Sequence, residues 1–285
     1  MDRRTPSEFR DSIRKVRRLY STPQVLSKAM RLVHQPEVDL AMLGELIRSD
    51  GALVADLVRL SSSAMYSRGE APADLNGALQ RLGVREVIRA IDLSLSKNVF
   101  GKGLGNYGID ATQYWRTSLL AGLMMEQLAF IHGVDAPEAY TVGMLHALGR
   151  VLINEVLEEV GTGATWDRGQ ALELWEVNQV GFTHAEAGAL LLREWAFPEP
   201  VIAPIEHQLG TPAAVPAQTS LGMMRFVRLL LTWDPEATTT PQPAALPRDL
   251  LGWAGFATQN EALEILTEAQ EQVAGIAESL DMSGG

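Results

Sequence analysis

Apolar residues recur at helical spacing from one end of this chain to the other. No stretch alternates with the period of two that a half-buried strand requires. Phe9, Ile13, Val16 and Tyr20 fall at i, i+4, i+7 and i+11, a single stripe on a segment otherwise rich in arginine. Thr22-Pro23 supplies an N-cap followed by proline at the first helical position, and Gln35-Pro36 closes the helix it opens. Asp39 begins a helix that turns Leu40, Leu43, Leu46 and Ile47 inward. Asp50 caps a third, burying Leu53, Val54, Leu57, Val58 and Leu60. Asp74 starts a short helix through Leu75, Ala78, Leu79 and Leu82, stopped by Gly83 in the C′ position. Val84 to about Phe100 forms the next. Short helices with brief loops predict a helical lobe over about 21–100.

A second lobe is predicted over about 110–210. Asp110 caps a long helix to about Ile131, ended by His132-Gly133, and Ala136-Pro137 opens the helix that carries His146. After Gly161-Thr162-Gly163, helices are expected over approximately 167–178, 183–195 and 198–208. Between the lobes stand Gly101, Gly103, Gly105 and Gly108. With no flanking strand and no Gly-Lys-Ser/Thr ending they do not make a phosphate-cradling loop, and a flexible connector is the expectation. Proline and threonine dominate Asp234 to Pro247, a long loop within a helical extension over 211–285. The last helix, Asn260 to about Leu280, is amphipathic through Leu263, Leu266, Val273, Ile276 and Leu280. The predicted fold class is all-α: a basic amphipathic helix (1–20), a two-lobed helical domain (21–210) and the extension.

Composition narrows the classes open to such a fold. A chain of 285 residues is long enough for a sizeable core, and 46% hydrophobic with 21% charged residues suits an ordinary globular protein. The absence of cysteine excludes disulfides, thiolate nucleophiles and cysteine zinc sites, and fits a reducing compartment. No apolar run is long enough to span a membrane, and Met1-Asp2-Arg3-Arg4-Thr5-Pro6 lacks the apolar core of a signal peptide. A cytoplasmic location is the expectation. Net charge -11 repels phosphate backbones, which disfavours nucleic acid as a partner. The exception is local. Arg3, Arg4, Arg10, Arg14, Lys15, Arg17 and Arg18 outnumber Asp2, Glu8 and Asp11 in the first twenty residues. Arg10, Arg14, Arg17 and Arg18 are the candidate interaction surface there, for an acidic partner, an anionic lipid surface or nucleic acid. The simpler reading docks the apolar stripe on the protein's own core and leaves the arginines solvated.

Candidate chemistry collects in a few motifs. His146 lies in Gly143-Met144-Leu145-His146-Ala147-Leu148-Gly149, His184 opens His184-Ala185-Glu186-Ala187-Gly188, and His207 ends Ile202-Ala203-Pro204-Ile205-Glu206-His207-Gln208. Trp115-Arg116-Thr117-Ser118 precedes them and Trp195-Ala196-Phe197-Pro198 lies between. In that order, with Ser49-Asp50-Gly51-Ala52-Leu53, Leu60-Ser61-Ser62-Ser63-Ala64-Met65-Tyr66 and Ala78-Leu79-Gln80-Arg81-Leu82-Gly83 upstream, the chain over about 20–210 resembles the HDOD family, the HD-related output domain of bacteria.

The resemblance implies a helical lobe leading into an HD-like lobe. Active HD-type relatives hold a divalent metal on a histidine of the long helix, a His-Asp pair and later histidines. Here Thr117 stands at the first histidine's position and Ala147 at the aspartate's. His146, His184 and His207 remain, and Gln208 replaces a second histidine frequent after the last one. An alanine methyl supplies neither charge nor a hard oxygen ligand. The implied site is therefore a vestigial pocket of Thr117, His146, Ala147, His184, His207 and Gln208, with no catalytic residue, no metal and no cofactor. The plainest role for its imidazoles is to tie adjacent helices through hydrogen bonds. His34 and His132 lie at helix ends, where they are incidental to the site and favourable to the helix dipole when protonated.

No displaced carboxylate restores an acid–base pair. Glu206 precedes His207 and Glu186 follows His184 by two, spacings at which helical side chains diverge. Glu155, Glu158, Glu159 and Asp167 form an acidic run expected to face solvent. His-Glu-x-x-His, Gly-x-Ser-x-Gly and Walker patterns are absent.

The expected function is that of a non-catalytic bacterial signalling or regulatory protein, binding a protein or small ligand on a degenerate HD-type scaffold. A signalling partner acting in trans, of a cyclic-dinucleotide or two-component pathway, follows from the resemblance. A two-fold homodimer is the default form of any self-association. The alternatives are a metal-dependent phosphohydrolase of nucleotides or cyclic dinucleotides, and nucleic-acid binding through the basic N-terminal helix.

Overall fold

The computed structural model describes residues 22–33, 40–48, 51–62, 72, 74–100, 103–233 and 245–279. The basic segment with Arg10, Arg14, Arg17 and Arg18, His34, and most of the Pro/Thr-rich stretch lie outside the described residues. The described residues are all-α: apart from short 3-10 turns, their one extended pairing is an isolated bridge between Leu104 and Ile109. None of their helices is long and apolar enough to cross a membrane.

The first lobe contains α1 (Thr22–Val33), α2 (Leu40–Ile47), α3 (Gly51–Ser61) and α4 (Leu75–Phe100). Gly83 breaks α4 at φ 72°, where sequence puts a helix stop, so the run is two helices meeting at a kink. Leu26, Met30, Leu43, Ile47, Leu53, Leu57, Leu79 and Ile88 form this lobe's share of the core.

In the second lobe, α5 (Ala111–His132) is the central element, and α6 (Ala136–Leu145) packs on it most extensively. Leu119, Leu120, Leu123, Met124, Met125 and Leu128 lie on several sides of α5 and are all buried, as a helix surrounded by others requires. Local chemistry sets its ends. The Asp110 carboxylate accepts from the Gln113 amide at 2.8 Å, and Gly133 closes the helix in the left-handed region. Asp135 caps α6 in the same way, with Pro137 in the first turn. Then come α7 (Gly149–Val160), α8 (Leu172–Val180), α9 (His184–Glu194) and α10 (Glu199–Glu206). Thr183 and Glu186 form a reciprocal capping box at the start of α9.

The extension supplies α11 (Ser220–Leu230), α12 (Arg248–Ala254) and α13 (Gln259–Ser279). Both α11 and α13 pack on α5. They bury Met223, Met224, Phe226, Val227 and Leu230 on one side, and Leu266, Ala269, Val273 and Ile276 on the other. The extension thus completes the core of the second lobe.

A polar seam joins the lobes. Arg89 on α4 pairs with Glu86 and with Glu126 on α5, and its guanidinium stands 5.3 Å from the centre of the Tyr140 ring. Thr141 on α6 donates to Asp92 at 2.9 Å, and burial pushes that carboxyl well above the ordinary range.

Three expectations are corrected. The glycine-rich stretch, from Gly103 on, is an ordered turn rather than a flexible connector. Leu104 and Ile109 exchange backbone hydrogen bonds at 2.7 and 3.2 Å around a 3-10 turn at Gly105–Tyr107, with Tyr107 fully buried. Left-handed Gly103 and Gly108 make that reversal possible. Secondly, α8 begins at Leu172 rather than near 167. The Asp167 carboxylate accepts from the Gly169 amide and Arg168 takes φ 65°, so the chain turns there before the helix starts. Finally, the His132 imidazole at the end of α5 has its pKa lowered by burial, which opposes the charge a helix C-terminus would favour.

Candidate functional site

Glycine sets the spacing of the helices around His146. A Cβ at Gly149 would stand 1.9 Å from the His184 carbonyl oxygen and 2.5 Å from the Gly188 amide nitrogen, so the starts of α7 and α9 touch backbone to backbone. A Cβ at Gly143 would stand 2.5 Å from the Ala121 carbonyl oxygen, so α6 also lies against the backbone of α5. The two glycines that bracket His146-Ala147 therefore hold its turn between three helices.

His146 caps the end of α6 and is buried. Its Nδ1 lies 2.7 Å from the Gly143 carbonyl oxygen, which only accepts, so Nδ1 carries the proton. Burial, with the positive charge of Arg150 in support, pushes its pKa from 6.5 to about 3. The ring is neutral at pH 7. Ala147 is buried beside it, and its carbonyl accepts from the Tyr114 hydroxyl of α5 at 2.6 Å. Thr117, also on α5, is buried at 9% exposure.

His184 and Glu176 form the pair that sequence reasoning missed. Both side chains are fully buried, and His184 Nδ1 lies 2.8 Å from the Glu176 carboxylate. The same carboxylate accepts from the His184 backbone amide at 2.8 Å and from the Tyr107 hydroxyl at 3.0 Å. Burial opposes ionisation of Glu176, but the charge His184 carries when protonated and its hydrogen bonds, with the charge of Arg150 in support, outweigh this and hold the carboxyl below its ordinary value. Burial also lowers the pKa of His184, against the pull of Glu176. We assign an ionised carboxylate and a neutral imidazole whose Nδ1–H donates. His184 Nε2 is then an acceptor, buried and without a partner. Glu176→Gln is expected to destabilise the fold by about 1–3 kcal/mol, since an amide cannot accept three donors as a carboxylate does. Urea unfolding followed by circular dichroism measures this, and an unchanged midpoint would refute the network.

His207 does not join them. It follows the last turn of α10, and its side chain is 62% exposed, 3.9 Å from Glu206. Gln208 points inward instead and is fully buried. Its amide nitrogen donates to the His146 carbonyl at 2.8 Å and to the Ile205 carbonyl at 3.0 Å. The extension fixes this turn. Arg225 of α11 donates to the His207 carbonyl, and Arg228 donates to the Gln208 carbonyl at 3.0 Å and to Glu173 at 2.9 Å. Of the six pocket residues read from sequence, His146, Ala147, His184 and Gln208 gather around the α6–α7 turn, Thr117 is buried on α5, and His207 leaves the group. Of the acidic run, Glu158, Glu159 and Asp167 are exposed as expected.

A divalent metal does not fit this set of donors. Thr117 and Ala147 offer no histidine or carboxylate, His207 points to solvent, and Glu176 is taken up by three donors. Among the described residues, no group of three or more His, Cys, Asp or Glu side chains is placed to hold a metal ion.

The HDOD domain family matches residues 19–210. An "Uncharacterized protein" of Treponema pallidum (strain Nichols) is 28% identical over 262 residues, which are 89% of this chain and 49% of that protein. The chain thus spans about half the length of that curated relative. Two solved structures share the fold over 94% of this chain and 97% of theirs. One is an HDOD domain protein of Geobacter sulfurreducens, with a TM-score of 0.72 at 20% identity. The other, from Shewanella amazonensis SB2B and provisionally named a phosphohydrolase, has a TM-score of 0.64 at 21% identity. At these identities the likeness is one of fold.

Proposed function

We propose that this chain, which belongs to the HDOD family, works by binding and not by catalysis, as a regulatory or signalling module. The observation that carries the reading is the missing ligand set. Where HD-type relatives place a histidine and an aspartate, Thr117 and Ala147 stand, and the third histidine of the sequence pattern faces solvent. What remains at the pocket is a buried network of neutral imidazoles and satisfied carboxylates that braces helices against one another. Such a scaffold relays a state by docking a signalling protein in trans or a small polar ligand. A partner from a cyclic-dinucleotide or two-component pathway is the class that suits an HDOD module, and the arginine-rich sequence from Arg10 to Arg18 supplies positive charge for an acidic one.

The competing reading is a metal-dependent phosphohydrolase, and the Shewanella structure is provisionally named a phosphohydrolase. Elemental analysis of the purified chain after incubation with manganese, iron and zinc, together with hydrolysis assays on nucleotides and cyclic dinucleotides, separates the two. No stoichiometric metal and no turnover are expected. Metal-dependent turnover abolished by His146→Ala would overturn the proposal. Binding to nucleic acid through the N-terminal helix predicts affinity that falls steeply with salt and vanishes when residues 1–18 are removed.

A further inference from the structure

The seam between the lobes holds a buried carboxyl that, among the described residues, no cation pairs with. Asp92 of α4 is 1% exposed and lies against Thr141 of α6. The cation one turn before it, Arg89, is engaged by Glu86 and by Glu126 of α5. Tyr140, next to Thr141, is buried with its hydroxyl unpartnered, and burial pushes its pKa well up, so the phenol is neutral. The other elements packed on α4 bring no charge to the spot. Lys28 and Arg31 of α1 are exposed, as are Glu45 and Arg48 of α2 and Arg59 of α3, and Asp56 of α3 pairs with Arg59. The α1 side chain that reaches Thr141 is Met30.

The count of protons around Thr141 decides the state of Asp92. Thr141 has one hydroxyl proton and three acceptors in reach: Asp92 Oδ2 at 2.9 Å, the Pro137 carbonyl at 3.1 Å and the Met30 sulfur at 3.5 Å. An ionised Asp92 would take that proton and still leave Oδ1 buried without a donor. Burying a charge with one donor and no counter-ion costs far more than burying a neutral acid. A protonated Asp92 satisfies more groups. Its hydroxyl donates to Thr141 Oγ1, and the threonine proton passes to the Pro137 carbonyl. Burial pushes the Asp92 carboxyl well above its ordinary value, in the same sense.

We propose that Asp92 is a proton-controlled latch between the lobes, a carboxylic acid that donates to Thr141 and so reverses the hydrogen bond its ionised form would accept. Loss of the proton leaves an unpaired charge in the seam. The lobes relieve it by parting at α4 and α6, which admits water to the carboxylate. The latch goes beyond the binding reading and stands whatever the pocket binds. Because α6 carries Thr141 and, at its end, His146, the latch also ties the first lobe to the turn that organises the candidate site. The unfolded carboxyl ionises near 3.8 and the folded one higher. The stability that the acid contributes is therefore fully present below 3.8 and is lost as pH rises through the folded value.

Infrared difference spectra of the full chain, parent minus Asp92→Asn, test the proton directly. At pH 6, where exposed carboxylates are ionised, the parent should show the carbonyl stretch of a carboxylic acid that the variant lacks. The asparagine amide keeps a donor for Thr141 and does not titrate. From urea titrations, the folding equilibrium constant of Asp92→Asn should gain on the parent's by about tenfold per pH unit above pH 5, until Asp92 ionises. Thr141→Val, which removes the acceptor, should keep the acid band but move it to higher frequency. Hydrogen exchange locates the release. Above the pH at which the band is lost, amides of α4 and α6 should exchange faster in the parent than in Asp92→Asn, whereas those of α13 should exchange alike. No acid band at pH 6, a ratio of folding constants that ignores pH, or a band unmoved in Thr141→Val would overturn the latch. So would a band that persists until the protein unfolds, or exchange that quickens equally throughout the fold.

Discussion

Gly149→Ala is expected to destabilise the protein by about 3 kcal/mol or more, at or beyond the upper end of the usual range for an overpacked interior. The added methyl would lie 1.9 Å from the His184 carbonyl oxygen and 2.5 Å from the Gly188 nitrogen. Both are backbone atoms of a capped helix, so neither can swing aside as a flexible side chain would. Relief requires α7 and α9 to separate, and that movement would also part His146 from His184. Gly143→Ala meets the Ala121 carbonyl in the same way on the opposite side of the turn. Gly51→Ala is the control. It starts α3 with no atom within 4 Å of the new methyl, and its effect should stay within about 0.5 kcal/mol. Urea midpoints for the three variants decide the matter. A Gly149→Ala protein within about 1 kcal/mol of the parent would show that the helices are not in backbone contact.

The helix ends were readable in the sequence because they are local. Asp110, Gly83, Gly133 and Pro137 each act within a few residues, so spacing alone reveals them; the Asp135 cap and the Thr183–Glu186 capping box act over the same short range but were not read from the sequence. What failed was long-range or turned on the chain leaving the helix. Glycines at 103 and 108 look like freedom in a sequence, but here they allow one specific reversal, closed by Leu104 and Ile109. His207 and Gln208 exchange places because α10 stops at Glu206, and beyond its last turn helical periodicity no longer says which side chain faces inward. Glu176 was missed because its partner lies eight residues on, across the Gly181 turn. A signal was present all the same. Leu172, Trp175 and Glu176 share one helical face by the i, i+3, i+4 rule, so an acid occupied a position that periodicity assigns to the core. A carboxylate there demands buried donors, and His184 supplies one.

Acid should unfold this protein early, and His146 should carry much of the effect. In the unfolded chain the imidazole takes up a proton near its ordinary pKa of 6.5, whereas in the folded chain it stays neutral down to about 3. Because the folded value is the lower one, stability is fully present above pH 6.5 and is lost as pH falls from there toward 3. One proton per molecule corresponds to about 1.4 kcal/mol per pH unit, and with the unfolded imidazole half protonated at pH 6.5, His146 alone removes about 1.6 kcal/mol between pH 6.5 and pH 5. The lowered pKa of His184 acts in the same direction as pH falls below 6.5, and Glu176, held below its ordinary value, adds to the loss as pH falls through 4.5. The variant that isolates the effect is His146→Asn. Its amide N–H can still donate to the Gly143 carbonyl, which His146 Nδ1 engages at 2.7 Å, but it does not titrate. Its stability at pH 7.5 can differ from the parent through packing. The informative quantity is the slope of unfolding free energy against pH between 5 and 6.5, from urea titrations at each pH. That slope should fall by about 1 kcal/mol per unit in His146→Asn. Equal slopes in the two proteins would mean that the folded state admits a proton at His146, which a ring buried between α5, α6 and the Gln208 turn, with Arg150 and Arg228 close by, should refuse.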